Sequence, residues 1–105
     1  MNAKPITVTQ LNNYIKALLD NTAPLQSLCL RGELSNFKIH SSGHCYFTLK
    51  DENAAVSGVM FAASAGKLRY RPESGMKVIA YGRVSLFPKS GQYEIYVNEM
   101  TPDGV

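Results

Sequence analysis

Tyr46 and Lys50 fall on the same side of one alternating run, and Phe61 follows in the next. These are the residue types that bind a charged polymer with flat faces. An aromatic ring is a surface on which a nucleobase stacks, worth about 1–3 kcal/mol per base. A lysine or arginine neutralises a phosphate and makes binding salt-dependent. His40, Ser41, Ser42 and His44 cluster just before Tyr46. With the Gly43 N–H, the two serines are candidates to hydrogen-bond phosphate oxygens. Arg31, Arg83 and Lys89 complete the candidate phosphate contacts. Each has a packing alternative: Tyr46 could lie under a neighbouring domain, Phe61 could anchor a nearby helical segment, and His44 could be a surface hydrogen-bonder.

Bond-breaking chemistry is not evident in the same residues. Metal-dependent hydrolysis needs carboxylates converging on one pocket, whereas the eight acids here are scattered and Asp51-Glu52 reads as a turn. There is no nucleophile elbow or triad context, and no glycine-rich phosphate loop before a helix. Cys29, His40, His44 and Cys45 match no zinc spacing. No catalytic residue, metal ligand or cofactor is therefore expected in these 105 residues. The two cysteines lie in strand-like runs and are expected to be reduced, buried, small hydrophobes.

Charge is unevenly placed. Lys67, Arg69, Arg71, Lys77, Arg83 and Lys89 face only Glu73 between residues 67 and 89, a surplus of +5. The net charge is +3, so the rest of the chain carries −2. A basic half on a small domain suits a polyanion. Arg69 and Arg71 are as easily a solvated face as nucleic-acid contacts. Apolar residues make up 45%, enough for one core, while no run is long enough for a membrane span. The start, Met1-Asn2-Ala3-Lys4-Pro5, has no apolar signal region, which points to the cytoplasm.

The elements that must position these residues follow from periodicity. Thr7 and Gln10 form a capping box, with Ile6 and Leu11 at the staple positions. Leu11, Ile15, Leu18 and Leu19 then share one face of a helix, expected to pack across one end of a barrel. From Leu25 the period becomes two. Leu28, Leu30 and Leu34 should face inward in a first strand, with Gly32 marking a bulge or bend. Cys45, Phe47 and Leu49 point in, and His44, Tyr46, Thr48 and Lys50 point out. Val56, Gly58 and Met60 point in, and Ser57, Val59 and Phe61 point out. A short helix around 62–68 precedes a strand in which Val78, Ala80, Gly82 and Val84 alternate with Ile79, Tyr81, Arg83 and Ser85. The Pro88-Lys89-Ser90-Gly91 loop leads to a fifth strand, in which Tyr93, Ile95 and Val97 alternate with Glu94 and Tyr96.

The predicted fold class is all-β with minor α: a five-stranded Greek-key OB-fold barrel with an N-terminal helix and a short helix between strands 3 and 4. Residues 1–22 are a helical extension and 23–105 one compact OB unit. An immunoglobulin-like sandwich would want about seven strands and no helical insert. OB-folds bind over the second and third strands, between the first and fourth hairpin loops. That surface gathers Tyr46, Lys50 and Phe61, with His40, Ser41, Ser42, His44 and Lys89 at its borders.

Several stretches also resemble a known family. They are Thr7-Val8-Thr9-Gln10-Leu11-Asn12, Arg31-Gly32-Glu33-Leu34-Ser35-Asn36-Phe37, Ser42-Gly43-His44 with Tyr46 to Asp51, Val59-Met60-Phe61, Arg71 to Val78, and Gly82-Arg83-Val84. Together they resemble the N-terminal domain of exodeoxyribonuclease VII large subunits. The resemblance implies a parent nuclease that hydrolyses single-stranded DNA from both ends to short oligonucleotides. It also implies several copies of a small subunit as partners, beside the remainder of the large subunit. Its catalytic residues would lie outside this chain, which reads as an isolated domain cut at a linker, and the metal requirement of the parent stays open. Cys45 departs from the family, where an aliphatic residue is usual. The expected role is single-stranded DNA binding; the alternative is a docking module of the same assembly with little DNA affinity.

Overall fold

The computed structural model describes residues 3–104. Helix α1 (Val8–Asp20) and a 3-10 turn (Ala23–Gln26) lead into β1 (Leu28–Ile39), β2 (Cys45–Lys50) and β3 (Ala55–Met60). The single-turn helix α2 (Ala62–Ala65) then precedes β4 (Lys77–Phe87) and β5 (Gln92–Pro102). The strands close into a barrel in the order β1-β2-β3-β5-β4. β3 and β5 pair in parallel and the other pairs are antiparallel, with β4 returning to β1. This is the expected five-stranded barrel, with its two helices at the expected points in the element order. No helix among the described residues is long and apolar enough to cross a membrane.

Alternation places the core. Leu34, Met60, Val78 and Ile95 are fully buried, surrounded by Phe47, Leu49, Cys45 and Val97. Burying each large aliphatic side chain is worth about 1.5–3 kcal/mol, which makes the barrel interior the main source of stability. Cys29 departs from the expectation of burial: it sits between the inward Leu28 and Leu30, so it points outward and is exposed, opposite Tyr81.

Gly32 is not the site of the bulge. It pairs in register with Val78, and a Cβ there would lie 2.8 Å from Leu49 Cγ, so the glycine makes room for a core leucine. The irregularity comes between Ser35 and Lys38, where Asn36 takes a φ of 50°. Asparagine tolerates this left-handed conformation better than most side chains. The extra residue reverses the phase of the strand. Phe37 consequently turns inward and stacks on Phe47, and Lys38 turns out. A second irregularity leaves Asn98 opposite no residue, because Tyr81 pairs with Glu99 and Gly82 with Val97.

Helix α1 starts at the capping box, with Thr7 Oγ1 accepting from the Gln10 N–H and Gln10 Oε1 accepting from the Thr7 N–H. Its packing differs from the expectation. It lies along the second half of β4 through its Asn12, Lys16, Leu19 and Asp20 side, leaving Leu11, Ile15 and Leu18 exposed. Polar contacts set this rotation: Asn12 Nδ2 donates to the Pro88 carbonyl, and the buried Ser85 hydroxyl donates to Asp20 Oδ1 at 2.5 Å. Lys16 and Ser85 hold the Asp20 carboxyl below its ordinary value of 3.8. A carboxylate stabilised in this way supports the fold above its unfolded-state pKa, and that support is lost as pH falls through the lowered folded value. The stability gap between wild type and Asp20→Asn, read from urea melts, should therefore be constant near neutral pH and close below about pH 4. A gap that persists unchanged to the lowest accessible pH would refute the role given to the ionised form.

Candidate nucleic-acid interface

Strand register sets one line of outward side chains across the barrel wall. Lys38 of β1 pairs with Tyr46 of β2, Tyr46 with Val59 of β3, Val59 with Tyr96 of β5, and Tyr96 with Arg83 of β4. A cation thus stands at each end, with two rings between them. Neighbouring strands are about 4.8 Å apart, so the backbones of Tyr46 and Tyr96 are separated by roughly 10 Å across Val59. Val59 points outward yet is only 5% exposed. The wall at that point is an apolar floor.

One pleat nearer the barrel end, His44 and Phe61 face each other edge-to-face, their ring centroids 5.2 Å apart. Phe61 also stacks on Tyr96 at 5.9 Å with an interplanar angle of 23°, and the Arg83 guanidinium carbon lies 5.0 Å from the centre of the same tyrosine ring. Tyr96 therefore holds both a stacking ring and a cation in place. Its hydroxyl donates to Glu94 Oε1, and burial, with Glu94 second, raises its pKa, so it stays a neutral phenol. Tyr46 and Phe61 remain 43% and 46% exposed, which leaves ring surface free for a ligand.

His44 Nδ1 accepts a 2.9 Å hydrogen bond from the Ala62 N–H at the start of α2. Accepting at Nδ1 places the proton of the neutral ring on Nε2, which is left as a donor. His40 meets Tyr46 edge-on at 6.3 Å, so the β1–β2 turn supports the platform from its other side. Within that turn the expected phosphate donors are partly spent. The Gly43 N–H donates to the His40 carbonyl at 2.8 Å, and Ser42 Oγ contacts both His40 Nδ1 and the His44 N–H. Ser41 is exposed beside them.

The other predicted residues do not join this cluster. Arg31 is ion-paired to Asp103 at 3.0 Å, and Lys50 lies 3.8 Å from Glu33. Both line a groove away from the platform, in which Arg31, Lys50 and Lys77 face the carboxylates of Glu33, Asp51, Glu52 and Asp103. That groove holds four carboxylates against three cations, so its positive charge is locally balanced. Lys89 stands exposed in the β4–β5 turn, six residues beyond Arg83. Tyr96 and Lys38 belong to the cluster although sequence reasoning did not select them. Alternation puts Tyr96 outside, but only the parallel β3–β5 pairing brings it to Phe61. Lys38 points out because of the bulge at Asn36, whose signal in the sequence is one asparagine.

Comparison with known proteins agrees with this architecture. The chain is 52% identical over all 105 residues to an exodeoxyribonuclease 7 large subunit of Bacillus cytotoxicus, and 50% identical to that of Bacillus mycoides. It spans only 23% of the length of each. Among solved structures it is similar to a chain of a replication protein A heterotrimer bound to ssDNA, with TM-score 0.60, 15% identity and coverage of 77% of this chain and 60% of the other. Asparaginyl-tRNA synthetase from Pyrococcus horikoshii superposes with TM-score 0.61 at 17% identity, over 89% of this chain and 22% of the synthetase chain. At such identities the likeness is one of fold. The family model described as "OB-fold nucleic acid binding domain" matches residues 6–101, which takes in all of the barrel but its last residue and every residue of the platform, and the chain belongs to that family.

Proposed function

We propose that this domain holds single-stranded DNA for an exodeoxyribonuclease VII large subunit, delivering substrate to catalytic residues elsewhere in that polypeptide. The observation that carries the reading is the Phe61–Tyr96–Arg83 stack beside Tyr46, ring and cation surface on an open wall. Free base faces exist in single strands and not inside a duplex, so a stacking platform selects unpaired nucleic acid. Half identity over the full chain to exodeoxyribonuclease 7 large subunits supports DNA as the polymer. The parent would hydrolyse single-stranded DNA from both ends to short oligonucleotides, in the cytoplasm, with small subunits and the remainder of the large subunit as partners.

Titrating the 105-residue chain with fluorescent oligothymidine at several salt concentrations tests this. Affinity should fall as salt rises, and each phosphate contact should contribute about 0.7 to the slope of log K against log salt. Arg83→Ala should weaken binding and flatten that slope by about 0.7. No binding at low salt, or binding indifferent to salt, would overturn the proposal.

A further inference from the structure

Beyond the platform the barrel end is incompletely covered. Helix α2 is one turn long, and between it and the ends of β1 and β2 lies an open groove of about 710 Å³. Ile39, Ala62, Ala65, Leu68 and Pro72 line it with apolar surface, and Ile39 is 55% exposed although it ends a barrel strand. Arg69 and Arg71 stand at its rim. Neither has an ion-pair partner among the described residues, in contrast to Arg31. An apolar floor flanked by free guanidinium groups is complementary to a base with its phosphates, and the volume lies within the roughly 300–1,000 Å³ of ligand sites.

The groove adjoins the platform directly. His44 and Phe61 form the last ring pair on the wall, and their chain neighbours Gly43 and Ala62 line the groove. A Cβ on Gly43 would lie only 3.1 Å from that of Ala62, so two of the smallest residues make a low saddle between the two surfaces. A strand leaving the His44–Phe61 edge meets the groove next.

We infer that this groove is a second subsite for the same single strand: it takes a base beyond the platform against Ile39 and Leu68, while Arg69 and Arg71 hold the adjoining phosphates. The strand is thereby turned off the wall and around the barrel end. This rests on the single-strand reading above and adds the route and extent of the bound strand.

The test compares oligothymidines of about four and about ten nucleotides, lengths within the range that single OB-folds cover. Wild type should bind the longer one at least tenfold more tightly. The double variant Arg69→Ala/Arg71→Ala should lose most of that gain, with its salt slope on the longer strand reduced by about 1.4. Its affinity for the shorter strand should change less than twofold. Ile39→Glu, which places a carboxylate on the exposed floor, should abolish the same gain, with folding checked by thermal melting. Retention of the full gain by both variants would overturn the subsite and leave the platform standing. Equal weakening of short and long strands would also overturn it, since the arginines would then act only through general charge. Absence of binding by wild type to either length would remove the single-strand reading itself, and the subsite with it.

Discussion

Replacing Tyr96 with alanine should weaken single-strand binding at least as much as replacing the more exposed Phe61. Loss of one stacked base is worth about 1–3 kcal/mol, or roughly 5- to 150-fold in Kd, which sets the expectation for Phe61→Ala. Tyr96→Ala removes the ring against which Phe61 stacks and the ring under Arg83, so one truncation releases a stacking surface and a phosphate contact together. Residues acting through shared contacts are not additive. The Phe61→Ala/Tyr96→Ala double variant should therefore bind only slightly more weakly than Tyr96→Ala alone. Tyr96→Phe keeps the ring and loses only the 3.3 Å hydrogen bond to Glu94, so it should restore affinity to within a few-fold of wild type. Fluorescence anisotropy at fixed salt, with thermal melts as a check on folding, reads all four variants against wild type. Strictly additive losses, or a Tyr96→Phe variant as weak as Tyr96→Ala, would show that Tyr96 does not position its neighbours.

The second large effect concerns stability. Gly82→Ala should destabilise the domain by about 3 kcal/mol or more, at or beyond the upper end of the usual cost of overpacking. A Cβ at Gly82 would lie 2.1 Å from the Tyr96 carbonyl oxygen and 3.0 Å from the Val97 Cα. Backbone cannot step aside as a side chain can, and this backbone lies beside the irregular pairing in which Gly82 meets Val97. Gly32→Ala is the control. Its obstacles are the Leu49 side chain at 2.8 Å and the Lys50 carbonyl oxygen at 3.1 Å, no backbone atom lying as close as at Gly82, so its cost should be smaller. Urea unfolding measures both. A Gly82→Ala protein as stable as wild type would mean that β4 and β5 are not held at this spacing. Because Tyr96 contributes the colliding carbonyl, the same substitution should also disturb the platform in any molecules that remain folded.

Local patterns made much of the fold legible. The capping box at Thr7, the change of period after Leu25, and the hairpin loops at 40–43 and 88–91 specify the elements and their order. Each depends on residues a few positions apart. Strict alternation likewise set Tyr46 and Phe61 outside and Phe47 and Met60 inside, because successive strand side chains point to opposite faces.

Alternation assigns a side of the sheet but no neighbour across it. Arg83 meets Tyr96 across the β4–β5 hairpin, but Phe61 reaches Tyr96 only through a parallel pairing between residues 37 positions apart, which no local pattern encodes. Two bulges, at Asn36 and Asn98, change which residues meet, and one of them brings Lys38 to the end of the row. Arg31 shows the reverse: an exposed cation by sequence, it is claimed by Asp103, 72 positions away. Short-range sterics and hydrophobic period specify the elements, their sides and the residue types on offer. Only closure of the barrel decided which rings and cations share a surface, because that depends on contacts between distant strands.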